Sequence, residues 1–211
     1  MKKLLKLFAI VLVVFAFSAC NNSSKFGTFT DTRDVKIYKT VKIGTQIWMA
    51  ENLNYKTNKG SWCYDDNSSN CDTYGRLYNW ETACKVCPAG WHLPSDAEWT
   101  TLTDSLGEKS AGGKLKKAGI TRWSSPNADT TNEIGFNALP CGWRNPDGSF
   151  SNIDIDANFW TSTPKEDNDY ACSRFLGHKG GVFSTYWRVV AVFQCGVFRT
   201  DINATCRFEK K

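Results

Sequence analysis

A chain of 211 residues, 41% hydrophobic and 22% charged, is long enough to bury a core and too apolar for wholesale disorder. Its length fits one large domain or two small ones. The formal charge of +5 hints at an acidic partner, and nine cysteines and nine tryptophans are both high counts.

The first segment alters that arithmetic. Lys2, Lys3 and Lys6 precede an unbroken apolar run from Leu7 to Phe17, and Ser18-Ala19-Cys20 follows. A positive start, a short apolar stretch and a small-small-Cys ending form the lipobox of a bacterial lipoprotein signal. The small residues fit a peptidase pocket, and the Cys20 thiol takes the lipid. The run is short for a membrane span, which needs about 20 residues. Residues 1–19 are therefore expected to be a signal peptide and Cys20 a lipidated anchor, since several acyl chains on one residue hold a membrane stably. Residues 20–33 read as anchor and flexible tether, and 34–211 as the domain. The expected location is the cell envelope. Asn21 fits outer-membrane sorting, with the periplasmic or surface face left open. Three of the 26 basic residues precede Cys20, so 23 face 21 acidic residues and +2 remains. A nucleic-acid partner would need a basic patch. Only Lys114, Lys116 and Lys117 cluster, expected on the solvated face of a short helix, so no nucleic acid is expected.

Ordered structure should begin near Val35. Residues 36–43 alternate polar and apolar, Gly44-Thr45 offers a turn, and 46–49 return as a second strand. Asp72 or Thr73 is placed to cap a helix through Leu77, Trp80, Glu81 and Cys84, stopped by Pro88-Ala89-Gly90. Ser95-Asp96-Ala97-Glu98 is a capping box, and Trp99, Leu102 and Leu106 form one stripe ended by Gly107. A third short helix is expected over Gly113 to Ala118. From Trp123 onward short apolar stretches alternate with turns: Asn145-Pro146-Asp147-Gly148 is a strong one, and Lys179-Gly180-Gly181 suggests a hairpin. Phe183 to Phe198 reads as further strands. The fold class is thus α+β, a single irregular domain of two to three short helices on short antiparallel strands.

Eight cysteines follow Cys20: Cys63, Cys71, Cys84, Cys87, Cys141, Cys172, Cys195 and Cys206. Export places them where disulfides persist, so all eight are bridge candidates, up to four bridges. Cys63 and Cys71 flank a polar loop and would close it locally. Cys84 and Cys87 form a CxxC. A zinc site would want a second ligand pair, and a thioredoxin-like motif would want a βαβ context, so structural half-cystines are expected.

Several phrases are familiar together: Thr40-Val-Lys-Ile-Gly-Thr-Gln-Ile-Trp-Met-Ala-Glu-Asn-Leu-Asn54, Tyr74-Gly-Arg-Leu-Tyr-Asn-Trp80, Cys87-Pro-Ala-Gly-Trp-His-Leu-Pro-Ser95, Gly135-Phe-Asn-Ala-Leu-Pro140 and Phe159-Trp-Thr-Ser-Thr163. The chain resembles the Fibrobacter succinogenes major paralogous domain family over about residues 35–208. The resemblance implies a bacterial envelope protein, often a lipoprotein, and a fold similar to C-type lectins and formylglycine-generating enzymes. It also implies a Cys87–Cys206 bridge. Cys84, Cys141, Cys172 and Cys195 depart from the family pattern, as does Leu139-Pro-Cys-Gly-Trp143 where a Gly is usual.

Trp48, Trp80, Trp91, Trp99 and Trp160 recur in these phrases and are expected in the core, where each buries about 150–250 Å². Trp62, Trp123, Trp143 and Trp187 are the better candidates for an exposed surface. Trp143 with Arg144, Asn145 and Asp147 is the foremost ligand-binding candidate, for polysaccharide or another envelope component. Asn152, Asp154, Asp156 and Asn158 place an oxygen side chain at every second residue. A curved loop could wrap them round Ca²⁺, although the EF-hand Gly and Glu are missing and a solvated loop is the plainer reading. Asn145-Pro146-Asp147 is similar to one half of a lectin calcium loop, without the second half. No nucleophile–base pair stands out, and His92 is expected to be a structural hydrogen-bonding residue. The expectation is a non-catalytic binding domain. The alternative is a formylglycine-generating-like enzyme or oxidoreductase.

Overall fold

The computed structural model describes residues 24–119, 123–125, 127, 130–166, 169–177, 180–189, 192–194 and 198–199. Within them the chain is α+β. In order come β1 (Phe26–Asp31), β2 (Lys36–Ile43), β3 (Gln46–Met49), β4 (Ser61–Trp62), α1 (Ser68–Tyr74), β5 (Leu77–Asn79), α2 (Trp80–Ala83), α3 (Asp96–Leu106) and α4 (Ala111–Leu115). Then come β6 (Cys141–Arg144), β7 (Phe150–Ile153), β8 (Asp156–Pro164), β9 (Tyr170–Gly177), β10 (Phe183–Arg188), β11 (Val192–Gln194) and β12 (Phe198–Arg199).

The alternating run at 36–49 folds as read. β2 and β3 pair antiparallel with Ile43 opposite Gln46, and Gly44 takes the left-handed φ of 58° that the turn between them needs. The tether ends earlier than expected. Phe26–Asp31 is a strand paired with β2 from Phe26↔Val41 to Asp31↔Lys36. It lies at the edge of the sheet β1-β2-β3-β12, so most of its side chains face water and leave little hydrophobic alternation to read.

The helix expected over 72–84 is three elements. Asn67, not Asp72, caps α1 by accepting from the Ser69 N–H, and Gly75 ends it at φ 78°. A Cβ at Gly75 would meet the Asn52 carbonyl oxygen at 2.9 Å, so the chain turns there and leaves as β5. α3 has the predicted capping box, with both Ser95 and Glu98 reciprocating. α4 ends at Leu115, and the three lysines do not share a solvated face. Lys116 is fully buried with its ammonium 4.8 Å from the Trp123 ring, and Lys114 pairs with Glu133 at 3.1 Å.

The larger sheet runs β10-β9-β8-β6-β11-β5-β4, with β7 pairing β6. Trp48, Trp99, Leu102, Phe136, Phe159 and Phe198 fill the core between the smaller sheet, α3 and one face of the larger sheet. Trp80, Trp91, Trp160, Tyr78 and Phe193 form a second cluster. All five tryptophans of the recurring phrases are buried, but Trp123 is too, at 2% exposure, against the expectation of a surface position. Its N–H donates to the Ala138 carbonyl at 3.2 Å, which ties the segment after α4 into the core.

The local bridge is present: Cys63 and Cys71 are disulfide-bonded across an eight-residue separation. Two other candidates stand as thiols among the described residues. Cys172 is a buried thiol, because its place in β9 sets it beside the start of α3, where it donates to Asp96 Oδ1 at 3.0 Å. Cys87 is a half-buried thiol near the Ala83 carbonyl. Cys84 packs into the second cluster, and the Cys141 thiol points to the Gly142 carbonyl at 3.5 Å. Cys20, Cys195, Cys206 and the Cys87–Cys206 bridge lie outside the described residues, as do residues 1–19.

Candidate functional site

The foremost candidate residues sit on one hairpin. β6 enters the turn Asn145–Gly148, closed by the Gly148 N–H on the Asn145 carbonyl at 3.0 Å, and leaves as β7. Gly142 makes the hairpin possible. Its φ is 60°, and a Cβ there would collide with the Ser151 carbonyl. Strand alternation then divides the four candidates between two faces.

Trp143 faces the second cluster. Its N–H donates to Asn145 Oδ1 at 2.9 Å, and the Asn145 amide donates to Ser149 and Ser151 at 2.9 and 3.0 Å. That chain of bonds fixes the indole plane. Trp187 comes from β10, three strands along the sheet order, and its ring lies 5.8 Å from that of Trp143 at 46°. Trp187 also stands edge-on to Phe193 at 5.4 Å. Both rings are half-buried, so an indole pair rests on the core and still meets solvent.

Arg144 points the other way. Its guanidinium lies 4.8 Å from the Trp62 ring and 5.7 Å from the Phe150 ring. Its Nε is buried without a hydrogen-bond partner, so the arginine is held by aromatic faces. Asp147 is exposed at the turn and accepts from the Ser149 N–H and hydroxyl at 2.9 and 2.7 Å. The Ser149 hydroxyl and then its N–H hold the Asp147 carboxyl below its ordinary range.

The four oxygen-bearing residues do not line one strand: Asn152 is in β7, Asp154 in the turn after it, and Asp156 and Asn158 in β8. They span a tight turn, with Asn152 and Asp154 at φ 62° and 64°. Asn152 donates to Asp156 at 2.6 Å, and Asp154 accepts from the Tyr74 hydroxyl at 2.6 Å. Asn158 is fully buried, and neither its amide nitrogen nor its oxygen has a hydrogen-bond partner in the protein. Gly142 pairs with Ala157, so Trp143 and Asn158 are each the next residue along. No group of three or more metal-ligating His, Cys, Asp or Glu side chains occurs among the described residues. The carboxylates that would hold Ca²⁺ are occupied by protein donors.

Two polar clusters were not read from the sequence as units. Asp96, at the start of α3, accepts from Arg174 Nε at 2.6 Å, from Cys172 and from Ser184, while Arg174 also reaches the Asp96 carbonyl and Thr100. Burial pushes the Asp96 carboxyl up, and the hydrogen bonds of Cys172 and Arg174 more than reverse it, leaving it lowered. The Cys172 thiol is pushed up to about 12, by burial and then by the Asp96 hydrogen bond. His92 is buried and hydrogen-bonded to Glu98 at 3.1 Å, which also closes the capping box. Burial raises the Glu98 carboxyl, and the His92 and Ser95 bonds outweigh it. These groups clamp α3 to the sheets. The only signal for them in the sequence was the capping box.

No helix among the described residues is long and apolar enough to cross a membrane. Nothing among curated proteins or solved structures matches the chain. The family model of the Fibrobacter succinogenes major domain does match, over residues 41–194, and it takes in β3, the hairpin of β6 and β7, and the strands that carry the indole pair. The chain belongs to the Fibrobacter succinogenes major domain family.

Proposed function

We propose that this protein is a lipid-anchored cell-envelope protein, probing its surroundings through a non-catalytic, C-type-lectin-like domain that binds polysaccharide. The observation that carries the reading is the half-buried Trp143–Trp187 pair. Two large indoles kept partly in water at one place are costly unless something covers them, and an indole face suits the apolar C–H face of a sugar ring. Asn145 beside them offers polar contacts for hydroxyls and already holds the Trp143 plane. The lipobox at Cys20 supports the anchor and the envelope location. The environment of Cys172 supports binding over thiol catalysis, because a thiol pushed up to about 12 is not a nucleophile at neutral pH.

The test is a glycan array of plant and bacterial polysaccharides, read with the native protein and with Trp143→Ala and Trp187→Ala. Binding by the native protein that falls at least tenfold in both variants supports the reading. Binding equal in all three, or to no glycan, removes it and leaves an envelope protein as partner. EDTA is expected to leave the signal unchanged, since Asp154 and Asp156 already have protein donors. Cys20→Ser is expected to move the protein from the membrane to the soluble fraction.

A further inference from the structure

A polar groove lies between β2 and α1, and neither Trp143 nor Trp187 lines it. One part encloses 480 Å³ and a second 240 Å³, and the two share Lys36, Asn54, Cys71 and Asp72, so they are continuous. We propose that this groove binds an extended acidic oligosaccharide, independently of the indole pair.

The floor is set by side chains whose donors are already committed. Asn52 donates to the Tyr74 carbonyl at 2.7 Å and Asn54 to the Cys71 carbonyl at 2.8 Å. The Tyr38 hydroxyl accepts from the Asn54 N–H at 3.1 Å. These bonds tie the floor to α1, which the Cys63–Cys71 bridge in turn fixes. The Asn52 and Asn54 carboxamide oxygens are left as acceptors, the group that a row of sugar hydroxyls needs.

Cations mark both ends. Lys117 lines the larger part, Lys36 the junction, and Lys56 and Arg76 the smaller part. Arg76 Nε is buried and has no hydrogen-bond partner in the protein. A buried cationic donor without an acceptor is costly, and an anionic oxygen would answer it. Three acids, Asp34, Glu51 and Asp72, also line the groove, against five cations, Lys36, Lys39, Lys56, Arg76 and Lys117. The balance is positive, and the unpartnered Arg76 Nε places the anion near Arg76.

A saccharide fits better than an acidic peptide. An extended peptide binds a sheet by adding a strand to a free edge. β2 is paired on both sides, with β1 and β3, so the wall of this groove has no edge to offer.

Isothermal titration of the full-length protein at low salt tests the site with a galacturonic-acid oligomer, a heparin oligosaccharide, a neutral cello-oligosaccharide and poly-glutamate. Either acidic saccharide is expected to bind, identifying carboxylate or sulfate as the anion, with affinity falling as salt rises. Arg76→Gln is expected to weaken it about tenfold or more. Lys117→Gln, an exposed change that leaves the fold intact, is expected to weaken it about threefold. Trp143→Ala is expected to leave it unchanged, which separates this site from the indole pair. The proposal is overturned by equal affinity for the neutral oligomer, by poly-glutamate binding as tightly, by absence of heat with both acidic saccharides, or by Lys117→Gln and Arg76→Gln both binding like the native protein.

Discussion

Two inner tryptophans, Trp80 and Trp160, differ from the outer Trp143 in the reach of their indole hydrogen bonds. Trp80 donates to the Thr161 carbonyl, 81 residues away, and Trp160 to the Tyr78 carbonyl, 82 residues away. Trp143 donates to Asn145, two residues along its own turn. The inner bonds join β5 and α2 to β8 across the chain, so these indoles are cross-links as well as volume. The outer bond orients a ring without tying anything distant. Two other inner tryptophans depart from that pattern: Trp48 donates to Gln46 Oε1, two residues away, and the Trp99 N–H is buried without a hydrogen-bond partner, beside the rings of Trp48, Phe136 and Phe159. A tryptophan used as a cross-link serves the fold, whereas one oriented locally and left half in water serves a contact.

The sharpest way to break that comparison is to truncate an inner ring. Trp160→Ala removes a fully buried indole and its hydrogen bond to the Tyr78 carbonyl. About 3–5 kcal/mol should be lost, a large share of the stability of an ordinary domain. Urea unfolding followed by circular dichroism measures it, and a loss under about 1.5 kcal/mol would show that the inner rings are not cross-links.

Next in size is the clamp behind the inner face. Asp96→Ala leaves Arg174, only 6% exposed, with an unpaired buried charge, and about 3 kcal/mol should go. The same clamp contributes to a pH dependence, with a second pair at the end of β1, where Asp31 accepts from Arg33 at 2.6 Å. The folded-state carboxyls of Asp96 and Glu98 in the clamp, and of Asp31 beside the Arg33 guanidinium, are all lowered. Their stabilisation is fully present above the unfolded carboxylate range, near about 4, and is lost as pH falls through the lower folded values. The urea midpoint should therefore hold level from neutral pH to about 5 and drop below about 4. Asp96→Ala should make that drop shallower. An equally steep drop in the variant would place the acid sensitivity elsewhere.

How much of this was legible depended on whether the signal was local. β2 and β3 alternate within 14 residues, and the capping box of α3 spans four, so both were read correctly. β1 reads as tether because Thr28, Thr30 and most of its neighbours face water on an edge strand. Leu77, Trp80 and Cys84 are spaced as on a helix, yet Gly75 breaks α1 and β5 intervenes, since the sheet has a place for Leu77–Asn79 opposite β4 and β11. Trp143 was singled out, but its partner Trp187 lies 44 residues on, and only the sheet order brings them together. The groove draws on β2, the 50–54 segment, α1 and Lys117, so no stretch of sequence announces it. Asp96 and Arg174 likewise meet across 78 residues.

A smaller effect separates the two halves of the outer face. The Cys63–Cys71 bridge adjoins β4, whose Trp62 holds Arg144, and is remote in sequence from Trp187. Reducing it, or making Cys63→Ser with Cys71→Ser, should cost about 2 kcal/mol, at the low end for a short loop. Saccharide binding at the indole pair should persist while the Trp62 side loosens, visible as faster amide exchange over residues 61–74. In the native protein Cys172 should resist thiol reagents at pH 8, since burial and Asp96 push it up to about 12.

The smallest effect is the one that sharpens the comparison most. Trp187 sits on β10, at the edge of the larger sheet, half-buried against Trp143 and Phe193. Trp187→Ala forfeits those ring contacts, worth about 0.5–1.5 kcal/mol each, and part of that returns because the indole was never fully out of water. Among the described residues its N–H bonds no distant backbone carbonyl, so no buried acceptor there is orphaned. About 1 kcal/mol should be lost in urea unfolding, against three times that or more for Trp160→Ala. If the two losses prove equal, Trp187 belongs with the inner cross-links and the indole pair has no separate purpose. If the loss is small while glycan binding falls at least tenfold, the ring is held at the surface for a ligand rather than for the fold.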